Sequence, residues 1–182
     1  MMTILGVDPG TATTGYGVVE KIQSPKSTLS SDRVPRRMTG QIQNSGLRCV
    51  SYGCITTPKE KKAGERLVSL EKELLEVLHT YKPDAVVVER LYFFKNLKTA
   101  LPVSEARGVI LLAIAKKKLP VFELTPLQVK MAITGYGKAD KKQMQRMVQQ
   151  TLMLEQVPKP DDAADALGLA IAGILLTRTT QR

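Results

Sequence analysis

Four carboxylates occupy places from which they could act together. Asp8 ends the apolar run "TILGVD", Glu89 ends "AVVVE", and Asp162 and Asp165 lie three apart in "DDAAD", just ahead of the hydrophobic stretch "ALGLAIAGILL". Residues three apart on a helix share a face, and the first helical turn favours negative charge through the macrodipole. If the two strands are neighbours and the helix start docks beside their ends, the four acids converge on one sheet edge. Such a cluster persists only with cations between its members. An all-oxygen ligand set suits Mg²⁺ or Mn²⁺ and leaves water on the metal for a phosphate. Two ions about 4 Å apart would serve hydrolysis of a phosphodiester. Taken singly, each acid is an ordinary turn or helix-start residue, and Asp161 is read as the cap of the last helix. The joint placement at element ends carries the reading.

The elements that must hold these acids follow from the local pattern. Pro9-Gly10 after Asp8 suits a type II turn, and residues 14–20, "TGYGVVE", return as the second strand of a hairpin whose glycines keep side chains away from Asp8. Residues 49–56 resume a strand. Leu67, Leu70, Leu74 and Leu78 form one apolar stripe on a helix over 64–81, which Pro83 ends. "AVVVE" is a short buried strand. "SEARGVILLAIAKKK" is a helix with Ser104 as N-cap and three lysines at its C-terminal end, and "LPVFELT" is a further buried strand. A helix over 139–154 shows Met144, Met147, Val148 and Leu152 on one face, and Pro158 and Pro160 separate it from a last helix over 161–177. The order predicts an α/β fold with a mixed five-stranded sheet flanked by helices. A single domain is expected over 1–177, with a basic inserted loop at 21–48 and a polar tail at 178–182.

The chain has 182 residues, of which 27 are Lys or Arg and 17 Asp or Glu, a formal charge of +10 that suits a phosphate-rich partner. No stretch reaches the roughly 18 apolar residues of a membrane span, and no secretory signal opens the chain, so a cytoplasmic location without membrane contact is expected. Cys49 and Cys54 read as small fillers of a strand. His79, the only histidine, falls at a helix C-terminus where its charge is favourable.

The blocks "ILGVDPGTATTGYGVV", "VVVERLYFFKN", "EARGVI", "LPVFELTPLQVKMAITGYGKADKKQM" and "DDAADALGLAIA" together resemble the RuvC family of Holliday junction resolvases. The resemblance implies a ribonuclease H-like fold, a homodimer, and Mg²⁺-dependent paired nicking of a four-way DNA junction, with two ions per active site that Mn²⁺ would replace. It carries the family's metal-binding acids onto Asp8, Glu89, Asp162 and Asp165, the four chosen from the residues alone. It places two DNA-approaching lysines on Lys130 and Lys141, and a base-stacking aromatic on Tyr92, with Phe93 as the second choice. It also implies RuvA and RuvB, the branch-migration proteins, as partners. Residues 21–48 depart from the family's short turn; Lys21, Lys26, Arg33, Arg36, Arg37 and Arg48 stand there against a single acid, Asp32, and would add phosphate contacts on a DNA arm.

Three other readings compete. A junction-binding module without catalysis would not require all four acids. A phosphotransferase of the actin and sugar-kinase type shares an Asp and glycines in its first hairpin but needs two such domains. The smaller ribonuclease H-like family linked to ribosomal RNA processing lacks the "VVVERLYFF" and "EARGV" blocks.

Overall fold

The first strand, β1 (Met2–Asp8), sends alternate side chains to opposite faces of the sheet. Ile4 joins one apolar cluster, and Leu5 and Val7 join the other. The computed structural model describes residues 1–10, 12–22, 46–90 and 97–177. Within them β1 pairs antiparallel with β2 (Thr13–Lys21), which pairs antiparallel with β3 (Leu47–Thr56); on its other side β1 runs parallel to β4 (Ala85–Glu89), and β4 to β5 (Val121–Leu124). The strand order is β3-β2-β1-β4-β5, a mixed five-stranded sheet as expected.

Helices cover both faces. On one, α1 (Ala63–Tyr81) and α2 (Leu97–Lys116) bring Leu70, Leu74, Leu78, Ile110 and Ile114 onto Leu5, Val18 and Val86. On the other, α5 (Asp161–Thr177) lies on the sheet, with α3 (Pro126–Thr134) and α4 (Lys141–Thr151) packed against it. Sandwiched between layers, α5 is apolar nearly all round, which accounts for "ALGLAIAGILL". Its backbone rests directly on the strands. A Cβ at Gly6 would run into the Ala166 carbonyl, and one at Gly17 would stand 2.7 Å from the Leu167 nitrogen.

Several expectations require correction. The chain between β5 and α4 is a further helix, α3, opened by Thr125, whose hydroxyl accepts the Gln128 N–H. β5 is an edge strand in which only Leu124 is buried; the strand order leaves Phe122 41% exposed. α2 begins at Leu97 and accommodates Pro102 in its second turn, at the loss of one backbone hydrogen bond, so Ser104 is interior rather than a cap. α4 starts at Lys141, because Asp140 caps it by accepting the Gln143 N–H. Lys21, Leu47 and Arg48 belong to strands rather than to the loop, and Arg48 pairs with Glu20 at 2.5 Å. The turn after Asp8 is not type II, since Gly10 lacks the left-handed conformation; a Cβ there would strike the Thr13 carbonyl. Residues 23–45 of the loop and the 178–182 tail lie outside the described residues. Cys49 and Cys54 are free and half-buried, and His79 sits in the last turn of α1. Among the described residues no helix is long and apolar enough to cross a membrane.

Candidate active site at the sheet edge

Asp8 and Glu89 end two adjacent parallel strands. Val7 is level with Val88, so the next residue of each strand brings the two acids side by side. Strand alternation puts Asp8 on the face of Ile4 and Gly6, and Glu89 on that of Ala85 and Val87, which is the face α5 covers. Asp8 is also level with Gly15 in β2. A Cβ at Gly15 would collide with the Asp162 carbonyl, so this glycine admits the first turn of α5 beside Asp8.

The electrostatics record the crowding. Burial, followed by the charges of Glu89, Asp165 and Asp162, pushes the Asp8 carboxyl up to about 8, and Asp8 donates a hydrogen bond to Glu89. Glu89 is raised by burial, with the Asp8 hydrogen bond pulling the other way. Asp165 is raised by burial against the opposing pull of Lys141. These are carboxylates short of positive charge.

A cavity of about 230 Å³ opens at this edge, with Asp8, Glu89, Asp165, Lys130 and Lys141 on its polar side and Val129, Met144 and Val148 among its apolar walls. Asp162 does not line it; its charge reaches Asp8, Asp165 and Cys54 from beside Gly15. Both sequence-predicted lysines are therefore at the site. Tyr92 and Phe93 lie outside the described residues.

Asp161 is not the helix cap. The Pro160 carbonyl accepts the Ala163 and Ala164 N–H groups at 3.1 and 3.3 Å, while the Asp161 carboxylate accepts Gln145 Nε2 at 2.9 Å and pairs with Lys141 at 3.2 Å and Lys159 at 3.3 Å. Hydrogen bonds from Lys141, Gln145 and Lys159 hold it below the usual carboxylate range. Gln145, which also lines the cavity, escaped the sequence reading; its place four residues after Lys141, on the same helix face, was the available signal.

Among the described residues no three His, Cys, Asp or Glu side chains stand ready around a single point. The donor set nonetheless fits a hard divalent cation: Asp8, Glu89 and Asp165 offer oxygen only, in a cavity whose own charge leaves Asp8 short of a counter-ion. Holding an ion requires these side chains to draw together.

A family model described as crossover junction endodeoxyribonuclease RuvC matches residues 38–173. The chain belongs to the RuvC family. A RuvC from Petrotoga mobilis is 46% identical over 169 residues, covering 93% of this chain and 91% of its own. A RuvC from Chloroflexus aurantiacus is 45% identical over 181 residues, covering 100% and 98%. The solved structure of Thermus thermophilus RuvC in complex with a Holliday junction substrate superposes with a TM-score of 0.81 at 30% identity, covering 99% of this chain and 97% of that one. The described residues thus share the RuvC fold, and with it the ribonuclease H-like α/β architecture.

Proposed function

We propose that this chain is a Mg²⁺-dependent endonuclease that resolves Holliday junctions. It acts as a homodimer whose two active sites make paired, symmetric nicks leaving 5′-phosphate and 3′-hydroxyl ends. The observation that carries the reading is the meeting of Asp8, Glu89 and Asp165 with Lys130 and Lys141 around one cavity. The RuvC relative solved with a junction supports the substrate. A two-fold dimer presents one site to each of two symmetry-related strands, which suits a branched substrate better than plain duplex.

Asp8, Glu89, Asp162 and Asp165 would hold two Mg²⁺ ions, with Mn²⁺ able to substitute. When bound, such ions acidify an attacking water and stabilise the leaving oxygen. The chain's own groups do the rest. Asp8 gives up its proton as the site loads, since a ligating carboxylate must be ionised. Lys130, on the cavity wall, sets positive charge where a phosphate enters. Lys141 is held on Asp165 and Asp161 and can turn to the substrate when Asp165 finds another counter-charge. The apolar walls from α3 and α4 limit water around the reacting phosphate.

The test is cleavage of a synthetic mobile four-way junction in Mg²⁺ by the intact protein and by Asp162→Asn at equal junction occupancy. Paired nicks that disappear in the variant while binding survives are expected. Junction binding without cleavage by the intact protein, in Mg²⁺ and Mn²⁺ alike, would make it a non-catalytic junction-binding module.

A further inference from the structure

Helical spacing places Leu127 and Met131 one turn apart on α3, and both are exposed, at 59% and 50%; Tyr136, just beyond the helix, is 55% exposed. Scattered surface hydrophobics are ordinary, but these are gathered. Gly137 lies over the two α3 side chains, since a Cβ there would come to 2.5 Å from Leu127 Cδ1 and 3.5 Å from Met131 Sδ.

The turn that presents Tyr136 is tied down on both sides. Gly135, with φ at 69°, closes α3 by donating its N–H to the Met131 carbonyl at 3.0 Å. Tyr136 N–H donates to Thr134 Oγ1 at 3.0 Å, and its carbonyl accepts the Ala139 N–H at 3.1 Å. Thr134 Oγ1 in turn lies 2.8 Å from the Lys130 carbonyl, on the same helix whose inner side lines the cavity with Asp8 and Glu89. An aromatic on a backbone fixed in this way meets a ligand at little cost in conformational freedom.

The surroundings are basic. Lys138 belongs to the turn, Lys141 and Lys142 open α4, and Lys130 is on α3. Asp140 is engaged as the α4 cap and Lys141 is paired with Asp161 and Asp165, so the charge offered to a ligand is that of Lys130, Lys138 and Lys142. An apolar protein partner would have to desolvate these ammonium groups, whereas phosphates would pair with them. Exposed aromatic area inside a basic field is the combination by which unpaired bases are held.

We propose that Tyr136 is a DNA contact that stacks on a base opened at the branch point, beside the strand that enters the cavity. The proposal rests on the nuclease reading and adds to it a contact on the α3–α4 turn.

The chain contains no tryptophan, so Tyr136→Trp introduces a single indole at the proposed contact, which can be excited at wavelengths where the remaining tyrosines do not absorb. With four-way junction DNA in EDTA, where no cutting occurs, its emission is expected to be quenched on binding, and its affinity to equal that of the unsubstituted protein. Tyr136→Ala is expected to weaken junction binding by about 5- to 150-fold, the equivalent of one lost stacking contact, with an unchanged slope against salt because no phosphate contact is removed. Thermal melts of both variants should match the unsubstituted protein. Unchanged affinity in Tyr136→Ala would overturn the proposal, as would Tyr136→Leu binding as well as Tyr136→Trp. A drop in mass by light scattering for Tyr136→Ala would overturn it too, by assigning the patch to a second copy of the chain. Failure of the unsubstituted protein to bind or cut junctions would instead strike the nuclease reading, so the two failures are separable.

Discussion

Lys141 Nζ lies 3.5 Å from the Asp165 carboxylate while also holding Asp161 at 3.2 Å, so one ammonium joins a cavity acid to the residue that opens the same helix. In the absence of a metal ion it is a counter-charge inside the cluster. Its removal should raise Asp165 further, because Lys141 opposes the effect of burial there. Lys141→Met is expected to lower the cleavage rate at saturating junction by about 100- to 1,000-fold, the range for losing one preorganised donor to developing charge. Junction affinity should fall much less. Single-turnover cleavage beside equilibrium binding separates the two; an affinity loss that accounts for the whole defect would reduce Lys141 to a general phosphate contact.

Gly15 provides a sharper structural test, since it lies level with Asp8 and admits the Asp162 carbonyl. Gly15→Ala must push the first turn of α5 off the sheet. A stability loss of about 1 to 3 kcal/mol is expected, as for other overpacked positions, together with cleavage lost out of proportion to stability. Gly64→Ala, where a Cβ meets nothing within 4 Å, is the matched control. Comparable cleavage by both variants at a temperature where both are folded would contradict the assignment of Gly15 to the site.

The buried acids also set a pH dependence. Asp8 is pushed up to about 8 by burial and neighbouring carboxylates, against about 3.9 in an unfolded chain. Between those values the folded state holds a proton that the unfolded state has released, so stability falls as pH rises from about 4 to about 8. Below that window both states are protonated and the effect is absent. In EDTA the protein should therefore melt several degrees lower at pH 8 than at pH 5.5, with a shallower dependence in Asp8→Asn. Mg²⁺ should raise the melting temperature more at pH 8, where the ligands lose their protons readily. Parallel pH profiles for Asp8→Asn and the unsubstituted protein would show that Asp8 is not the group responsible.

The legibility of this chain divides by the range of the signal. Asp8 and Glu89 could be found because a charge at the end of a buried strand is anomalous within a few residues of sequence, and Asp162 and Asp165 because helical spacing is local. What each acid faces was not local. That Asp165 lines the cavity while Asp162 stands outside it depends on how α5 is rotated on the strands, which Gly6, Gly15 and Gly17 set through backbone contact. The edge position of β5 follows from the strand order, so "VFEL" reads the same whether central or lateral. The role of Asp161 is not legible locally, because its partners, Gln145 and Lys141, come from α4, sixteen and twenty residues earlier in the chain. The helix α3 did carry a local signal, Thr125 with Gln128 three residues later and Pro126 at the first helical position, but at nine residues it is too short for apolar periodicity to announce it.

That cap supplies a further prediction. Thr125 follows β5 directly, its hydroxyl accepts the Gln128 N–H at 3.1 Å, and Gln128 Oε1 accepts the Thr125 N–H at 2.9 Å. The reciprocal pair sets where α3 starts, and so where Val129 and Lys130 meet the cavity and where the Gly135 turn emerges. Thr125→Ala should cost about 1 kcal/mol of stability, a loss measurable by urea unfolding. Thr125→Ser, which keeps the oxygen, should recover most of it. Because the cap orients α3 rather than touching DNA, cleavage by Thr125→Ala should fall together with junction affinity, and Thr125→Ser should restore both. Recovery of stability by Thr125→Ser without recovery of affinity would detach the cap from the site and leave it only the task of starting the helix.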